Sequence, residues 1–503
     1  MPPPAVHPAA VVLAAAVAVL TATAQPPVLA PSPPIPADAV KALDRMTAAS
    51  KYPLKHDAKK AEQVRQHRIA WYTAGGIDVY EKTANPNNVW HLQARAALAT
   101  YPRVRTQIEL STQPDAILDS IVQKQVQAAA AAGSTDPLIR FLAEWPKLQH
   151  GTPDPKLVPR FGETVDALCR SEYGDVYKMT AAYNWLNVVQ RVPDGDPLVK
   201  TEKAAADRFW GLFERVAADP HPSAGHAVIA LAKLHEGLGA EKLGRTRRQN
   251  YEQVAARLKK APVAVPLAVE GGMLIREGWD ARGTGPAATV TPEGAQTFVE
   301  RLRAARTALE AAWEADPTRP EAPTLMLMVC RGLGLEREVL EEWFARALAT
   351  NPHNREAVQS KLDTLHPKWG GTTSEYLGFA WAVAKSPNIE GQFPLAAVAS
   401  HFGNAPVMGP RYERTAEQVV KYYAQPTVWA TVQTAMDRQL QASPKNVFLR
   451  TVYARVAGAA KRYDIAHAQF QALGGEFYPT YFANREEFDR WAGEARRAVE
   501  MKK

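Results

Sequence analysis

The sequence predicts an all-α fold, an α-solenoid or superhelical array of helical hairpins, and three observations carry that expectation. Apolar residues recur at helical spacing over most of the chain after Pro36, while strand-like alternation is almost absent. The pairs Asp316-Pro317, Asn351-Pro352 and Ser386-Pro387 recur every 35 residues, close to the period of a two-helix repeat. The composition, 46% hydrophobic and 22% charged over 503 residues, is that of a globular chain, one with enough apolar surface to offset the entropy of ordering it.

The first element is an address. Ala9 to Leu20, AAVVLAAAVAVL, is an uncharged run about as long as the apolar core of a signal peptide and short for a bilayer span. Ala22-Thr23-Ala24 supplies the small-x-small pattern of a cleavage site, so residues 1–24 are expected to be removed and the product exported, to a periplasm or the cell exterior. The leading MPPPAVHP carries no Lys or Arg, and no Cys follows the apolar run, so a lipid anchor is not expected. No later stretch has the length and apolarity of a transmembrane helix. Residues 25–36 hold six prolines in the run PPVLAPSPPIP and are expected to form a stiff spacer, since proline supports neither helix nor sheet ladder.

Helices follow. Ala42, Leu43, Met46 and Ala49 are helically spaced behind Asp38. In AILDSIVQKQVQAAAAAG, Ile117, Leu118, Ile121, Val122 and Val126 form one apolar face, and Gly133 is placed to stop the helix. Further helices are expected over roughly 160–191, 197–218, 223–238, 245–260 and 292–316. The piece APVAVPLAV (261–269) contains two prolines that argue against a central strand. We therefore expect an N-terminal helical region over 37–260, a repeat region over 261–400, and C-terminal repeats with a cap over 401–503.

The repeat signal is richest around the three X-Pro pairs. Ala312, Ala347 and Ala382 stand five residues before each proline, and Leu309, Phe344 and Phe379 stand eight before it. In a helical hairpin the small residue admits the neighbouring helix, the large one fills the gap, and the proline ends the second helix. ALEAAWEADPTRPEA and ARALATNPHNREA accordingly resemble repeat junctions of the tetratricopeptide family, in a divergent form without its opening Trp and Tyr. The run 270–385 also resembles an uncharacterised bacterial domain-of-unknown-function family of helical repeats. That likeness rests on Gly278-Trp279-Asp280-Ala281-Arg282-Gly283, the helix 292–316 and Leu365-His366-Pro367-Lys368-Trp369-Gly370-Gly371. It implies a fold and a bacterial source, but no activity. RAALATYPR at Tyr101-Pro102 and RVAADPHPSAGHA at Asp219-Pro220 are weaker echoes, and YDIAHAQFQALGG reads as a last hairpin helix before a polar cap over 484–500.

Chemical signatures are sparse. GGTTSEYLG around Ser374 lacks the spacing of a nucleophile elbow, and Ser374 suits helix capping better. His235-Glu236 begins a zinc-peptidase motif, but position 239 is Gly; His221 and His226 lie near it in sequence. No metal or cofactor is expected. The glycines of 237–244 and 332–337 lack a preceding strand and read as turns rather than phosphate loops. Glu277 and Asp280 flank Trp279 at an expected turn, a pattern compatible with sugar binding but more simply a polar turn. Cys169 and Cys330 sit in apolar helical contexts and read as two buried thiols rather than a bridge.

Two binding candidates remain. Arg245, Arg248 and Lys259 fall at helical spacing on the expected helix 245–260, where a cationic face attracts an anionic polymer. Lys368 and Trp369 occupy a Pro-Lys-Trp-Gly-Gly turn between two expected helices. The net charge of +8 is spread along the chain and carries no specific nucleic-acid signal. The resulting expectation is a non-enzymatic protein- or peptide-binding scaffold; the alternative is an enzyme or binder acting on cell-wall or other polysaccharide.

Overall fold

In a computed structural model, the described residues are 32–55, 57–110, 116–148, 153–192, 196–237, 246–283, 285, 287–386, 416–442, 444–478, 481–482 and 484–501. Among them every regular element is a helix, and no helix is long and apolar enough to cross a membrane. The leader 1–24, Arg245 and Pro387 lie outside the described residues.

The helices fall into two units, residues 57–360 and residues 32–56 with 361–501. In chain order, α1 is Ala37–Ala48, α2 Ala58–Gly75, α3 Ile77–Thr83, α4 His91–Glu109 and α5 Ala116–Ala131. Then come α6 Pro137–Glu144, α7 Val158–Arg170, α8 Asp175–Val189, α9 Glu202–Ala218, α10 Pro222–Gly237 and α11 Arg247–Arg257. Next along the chain are α12 Ala264–Arg282, α13 Pro292–Ala315, α14 Glu321–Leu333, α15 Arg337–Thr350, α16 Arg355–Leu365 and α17 Thr373–Lys385. The chain ends with α18 Ala416–Ala424, α19 Pro426–Ala442, α20 Val447–Ala459, α21 Tyr463–Leu473 and α22 Arg485–Glu500.

Local chemistry sets many boundaries. Asp57 caps α2 through the Lys60 N–H at 2.8 Å, and Asp136 caps α6 through Leu138 and Ile139. Thr246 with Gln249 and Thr372 with Glu375 form reciprocal capping boxes on α11 and α17. Thr372, not Ser374, is therefore the cap of α17, and Ser374 lies inside its first turn. Gly334 and Gly474 end α14 and α21 in the left-handed conformation.

Within residues 57–360, helices adjacent in sequence pack as neighbours: α4 on α5, α5 on α6, α6 on α7, α7 on α8, α8 on α9, and α12 through α15 in succession. One apolar core runs from Tyr72 to Val269. Helices end at the first two of the three X-Pro pairs, where α13 stops at Ala315 before Asp316 and α15 at Thr350 before Asn351. At the third, α17 stops at Lys385 before Ser386. Leu309, Phe344 and Phe379 are all buried, as are Ala312 and Ala347; Ala382 is half-buried.

In the other unit, α1 packs on α17 and α19, while α19 to α22 pack in chain order. This joins the start of the expected 37–260 region to helices near the end of the chain.

Several expectations need correction. The helix expected over 160–191 is two, broken at Ser171–Gly174, where the Gly174 N–H donates to the Gly75 carbonyl at 2.8 Å. Pro102 lies inside α4, so the Tyr101-Pro102 echo is not a helix end. Ile121 is 40% exposed, because the buried row of α5 is Val122, Val126 and Ala129, and Ile121 is turned off it. At the described end of the proline-rich stretch, Ser32 donates to Asp437 at 2.8 Å.

Candidate functional site

The best-built surface chemistry lies on α11 to α15, all within residues 57–360. Here the structure brings together two sets of residues that the sequence presents separately. Glu277 and Asp280 are not on a turn but three residues apart in the last turns of α12, hence on one helix face. Arg248 of α11 lies 3.5 Å from Glu277, Arg301 of α13 lies 3.2 Å from the other Glu277 oxygen, and Arg247 lies 3.2 Å from Asp280. The acids weighed for sugar chemistry are thus engaged by arginines. Arg248 also approaches Glu252 at 3.6 Å and stacks over Tyr251.

Of the expected cationic face, Arg248 is engaged as above and Arg245 lies outside the described residues. α11 ends at Arg257 with Leu258 as its cap, whose N–H donates to the Ala255 carbonyl. Lys259 therefore lies exposed in the turn after α11, off the helix that carries Arg248.

Between these ion pairs stand tryptophans. Trp279, half-buried, meets Phe298 edge-on at 4.9 Å, and the guanidiniums of Arg282 and Arg331 each lie 5.5 Å from its ring centre. One hairpin further, half-buried Trp313 meets buried Trp343 edge-on at 6.1 Å, and Arg346 covers both rings, at 5.4 and 4.3 Å. Each stack joins a flat apolar ring to a planar cation, a pairing worth about 0.5–2 kcal/mol according to its desolvation; Arg282 also donates to the Gly283 and Gly285 carbonyls and Arg346 to Glu342.

Lys368 and Trp369 belong to the other unit. Pro367–Trp369 is a single 3-10 turn between α16 and α17, and Gly370 follows at φ 89°, a conformation that favours glycine. Trp369 is half-buried; the Lys368 side chain lies outside the described residues.

A second feature, of which the sequence singled out only His221 and His226, runs along α2. Arg68 is buried in an ion pair with Glu109 of α4. Arg319, also buried, donates to Asp316 at 2.9 Å and to the Pro220 carbonyl at 3.2 Å, tying together two Asp-Pro turns. His226 lies 3.7 Å from Glu321; burial works to raise that carboxyl, yet the His226 contact and Arg319 hold it below the usual range. His221 stacks on Trp71 at 5.2 Å and on His67 at 4.3 Å, and its Nδ1 accepts the Ser223 N–H. Burial and then His67 push the His221 ring down to about 4. His353 of the Asn351-Pro352 turn is pushed down to about 4 by burial, with Arg65 of α2 adding to it. Both rings are therefore neutral at pH 7. The other sequence hint of this cluster was the placement of charged or aromatic residues just after helix-ending prolines.

Cys169 and Cys330 are free; Cys330 is buried and Cys169 half-buried. Among the described residues no three metal-ligating side chains converge. Against known proteins, the chain matches no family model, and no curated protein shows significant similarity to it.

Proposed function

We propose that this chain is an exported, non-enzymatic binding or scaffold protein that holds a protein or peptide on a surface of tetratricopeptide-like hairpins. The observation that carries the reading is the pair of tryptophan–arginine stacks on α12–α15, Trp279 with Arg282 and Arg331, and Trp313 and Trp343 with Arg346. Tryptophan and arginine dominate the energetics of protein interfaces, because they offer large contact area with donors at the rim. Packed helices hold these groups in fixed positions, which lowers the entropy lost on binding. The apolar run of residues 9–20 supports export.

The test is capture from cell-envelope extracts on the chain beginning at Gln25, with a Trp279→Ala, Trp313→Ala double variant as control. The proposal expects a stoichiometric protein partner that the variant loses. Retention of glycan in place of protein would replace it with the polysaccharide reading, and no retention by either bait would remove its support.

A further inference from the structure

Residues 32–48 contact their unit as a ligand contacts a receptor. The chain enters extended: Ser32 Oγ donates to Asp437 Oδ1 at 2.8 Å, and Gln433 Nε2 donates to the Pro33 carbonyl. Asp437 is held in place by a second donor, the Tyr453 hydroxyl of α20, at 3.0 Å. Gln433 is oriented by the Trp429 indole N–H, which donates to its Oε1 at 2.8 Å. Trp429, Gln433 and Asp437 follow one another at four-residue intervals, so α19 presents all three on one face.

After Pro36 the arm becomes helical as α1, and a second face receives it. Asp44 accepts the Trp381 indole N–H at 2.9 Å and the Lys385 ammonium at 2.5 Å. Thr47 donates to the Gly378 carbonyl at 3.0 Å. Gly378, Trp381 and Lys385 share a face of α17 by their three- and four-residue spacing. A Cβ on Gly378 would come within 3.1 Å of the Met46 backbone, so glycine is what lets α1 approach this closely.

The character of the contact separates the arm from the core around it. α1 fully buries only Ala39 and Leu43, Val40, Ala42 and Met46 are half-buried, and Asp44 and Thr47 add polar anchors. Asp44 and Lys385 are 47% and 43% exposed, and Pro33, Pro34 and Pro36 are exposed. By contrast, α20 buries nearly every position from Leu449 to Gly458. Few fully buried positions mark a segment of low local stability, and Ala39 and Leu43, four residues apart, have the anchor spacing of a helix laid in a groove.

We propose that the faces of α17, α19 and α20 form a docking groove for a proline-led amphipathic helix with a hydroxyl at its extended start and a carboxylate in its third turn. The chain's own residues 32–48 occupy it at rest, and a partner segment of the same pattern competes for it. This goes beyond the tryptophan–arginine reading and shares no residue with it, so either can fail alone.

The experiment is fluorescence anisotropy of a labelled synthetic peptide of residues 32–48 against the full chain. An arm variant, Ser32→Ala with Asp44→Ala, is expected to bind it at least tenfold more tightly than the unaltered chain. Adding Gln433→Ala and Lys385→Ala to that variant is expected to abolish binding. Equally weak binding to the unaltered chain and the arm variant would overturn the proposal. Hydrogen exchange on the unaltered chain keeps the question open to refutation should a variant misfold. Amides 37–48 are expected to exchange at least a hundredfold faster than those of α20; equal protection would make α1 a fixed core helix and overturn the groove.

Discussion

Burial decides the chemistry of single residues in this protein more than residue type does. Cys330 is raised to about 12 by burial, and burial also raises Cys169, so both remain thiols near neutral pH and react slowly. With a thiol-specific chromogenic reagent at pH 8, the native chain should label slowly at both positions, and two equivalents should react at once in denaturant. Arg68 and Glu109 illustrate the converse, since their side chains are 4% and 3% exposed in a mutual ion pair. Glu109→Ala would leave a buried guanidinium uncompensated and should cost about 3–5 kcal/mol, read from urea unfolding, whereas replacing both partners with apolar residues should cost far less. The two thiols were legible in the sequence from their apolar contexts, but the ion pair was not, since Arg68 there is one cation in the polar run AKKAEQVRQHRIAWY. Its burial follows from what α4 places opposite it.

At the scale of elements, the histidines along α2 predict a response to acid. His353 and His221 are lowered to about 4 from an ordinary value of about 6.5. A histidine held neutral in the fold contributes its stability in full above the unfolded value and loses it as pH falls through the folded value. The groups facing His353 are Arg65, Arg68 and Glu62 of α2, so a proton there adds charge beside two arginines. The thermal midpoint should therefore fall between about pH 6.5 and 4, and His353→Gln should flatten that fall in a calorimetric pH series. The Asp44 carboxyl is held below its ordinary value by hydrogen bonds from Lys385 and Trp381. Its contribution is present above the ordinary carboxylate range and lost as pH falls through the lowered value. Amide exchange of α1 should accelerate below about pH 4, and Asp44→Asn should remove that dependence. Element ends were the most legible part of the sequence, because caps and prolines act locally: Asp316, Asn351 and Asp219 each stand where a helix stops. Pro102 was misleading for the same reason, since a local proline signal is overridden when both flanks of a long helix are packed.

For the whole molecule, the first described helix belongs with residues 361–501 rather than with the helices that follow it. Deleting residues 25–48 should thus sensitise 361–501 to limited proteolysis while leaving 57–360 protected, with fragments assigned by mass. The sequence by itself determined that the chain is helical, where many helices begin and end, and which residues of the 35-residue register turn inward. These follow from interactions spanning a few residues: apolar period, capping side chains and proline. Tertiary packing alone set α1 on α17 and α19, brought arginines from two other helices to Glu277 and Asp280, paired Arg68 with Glu109, and placed the neutral rings of His221 and His353 beside α2. Those pairings join residues tens to hundreds of positions apart, and their free energy depends on burial and on partners that no local pattern encodes.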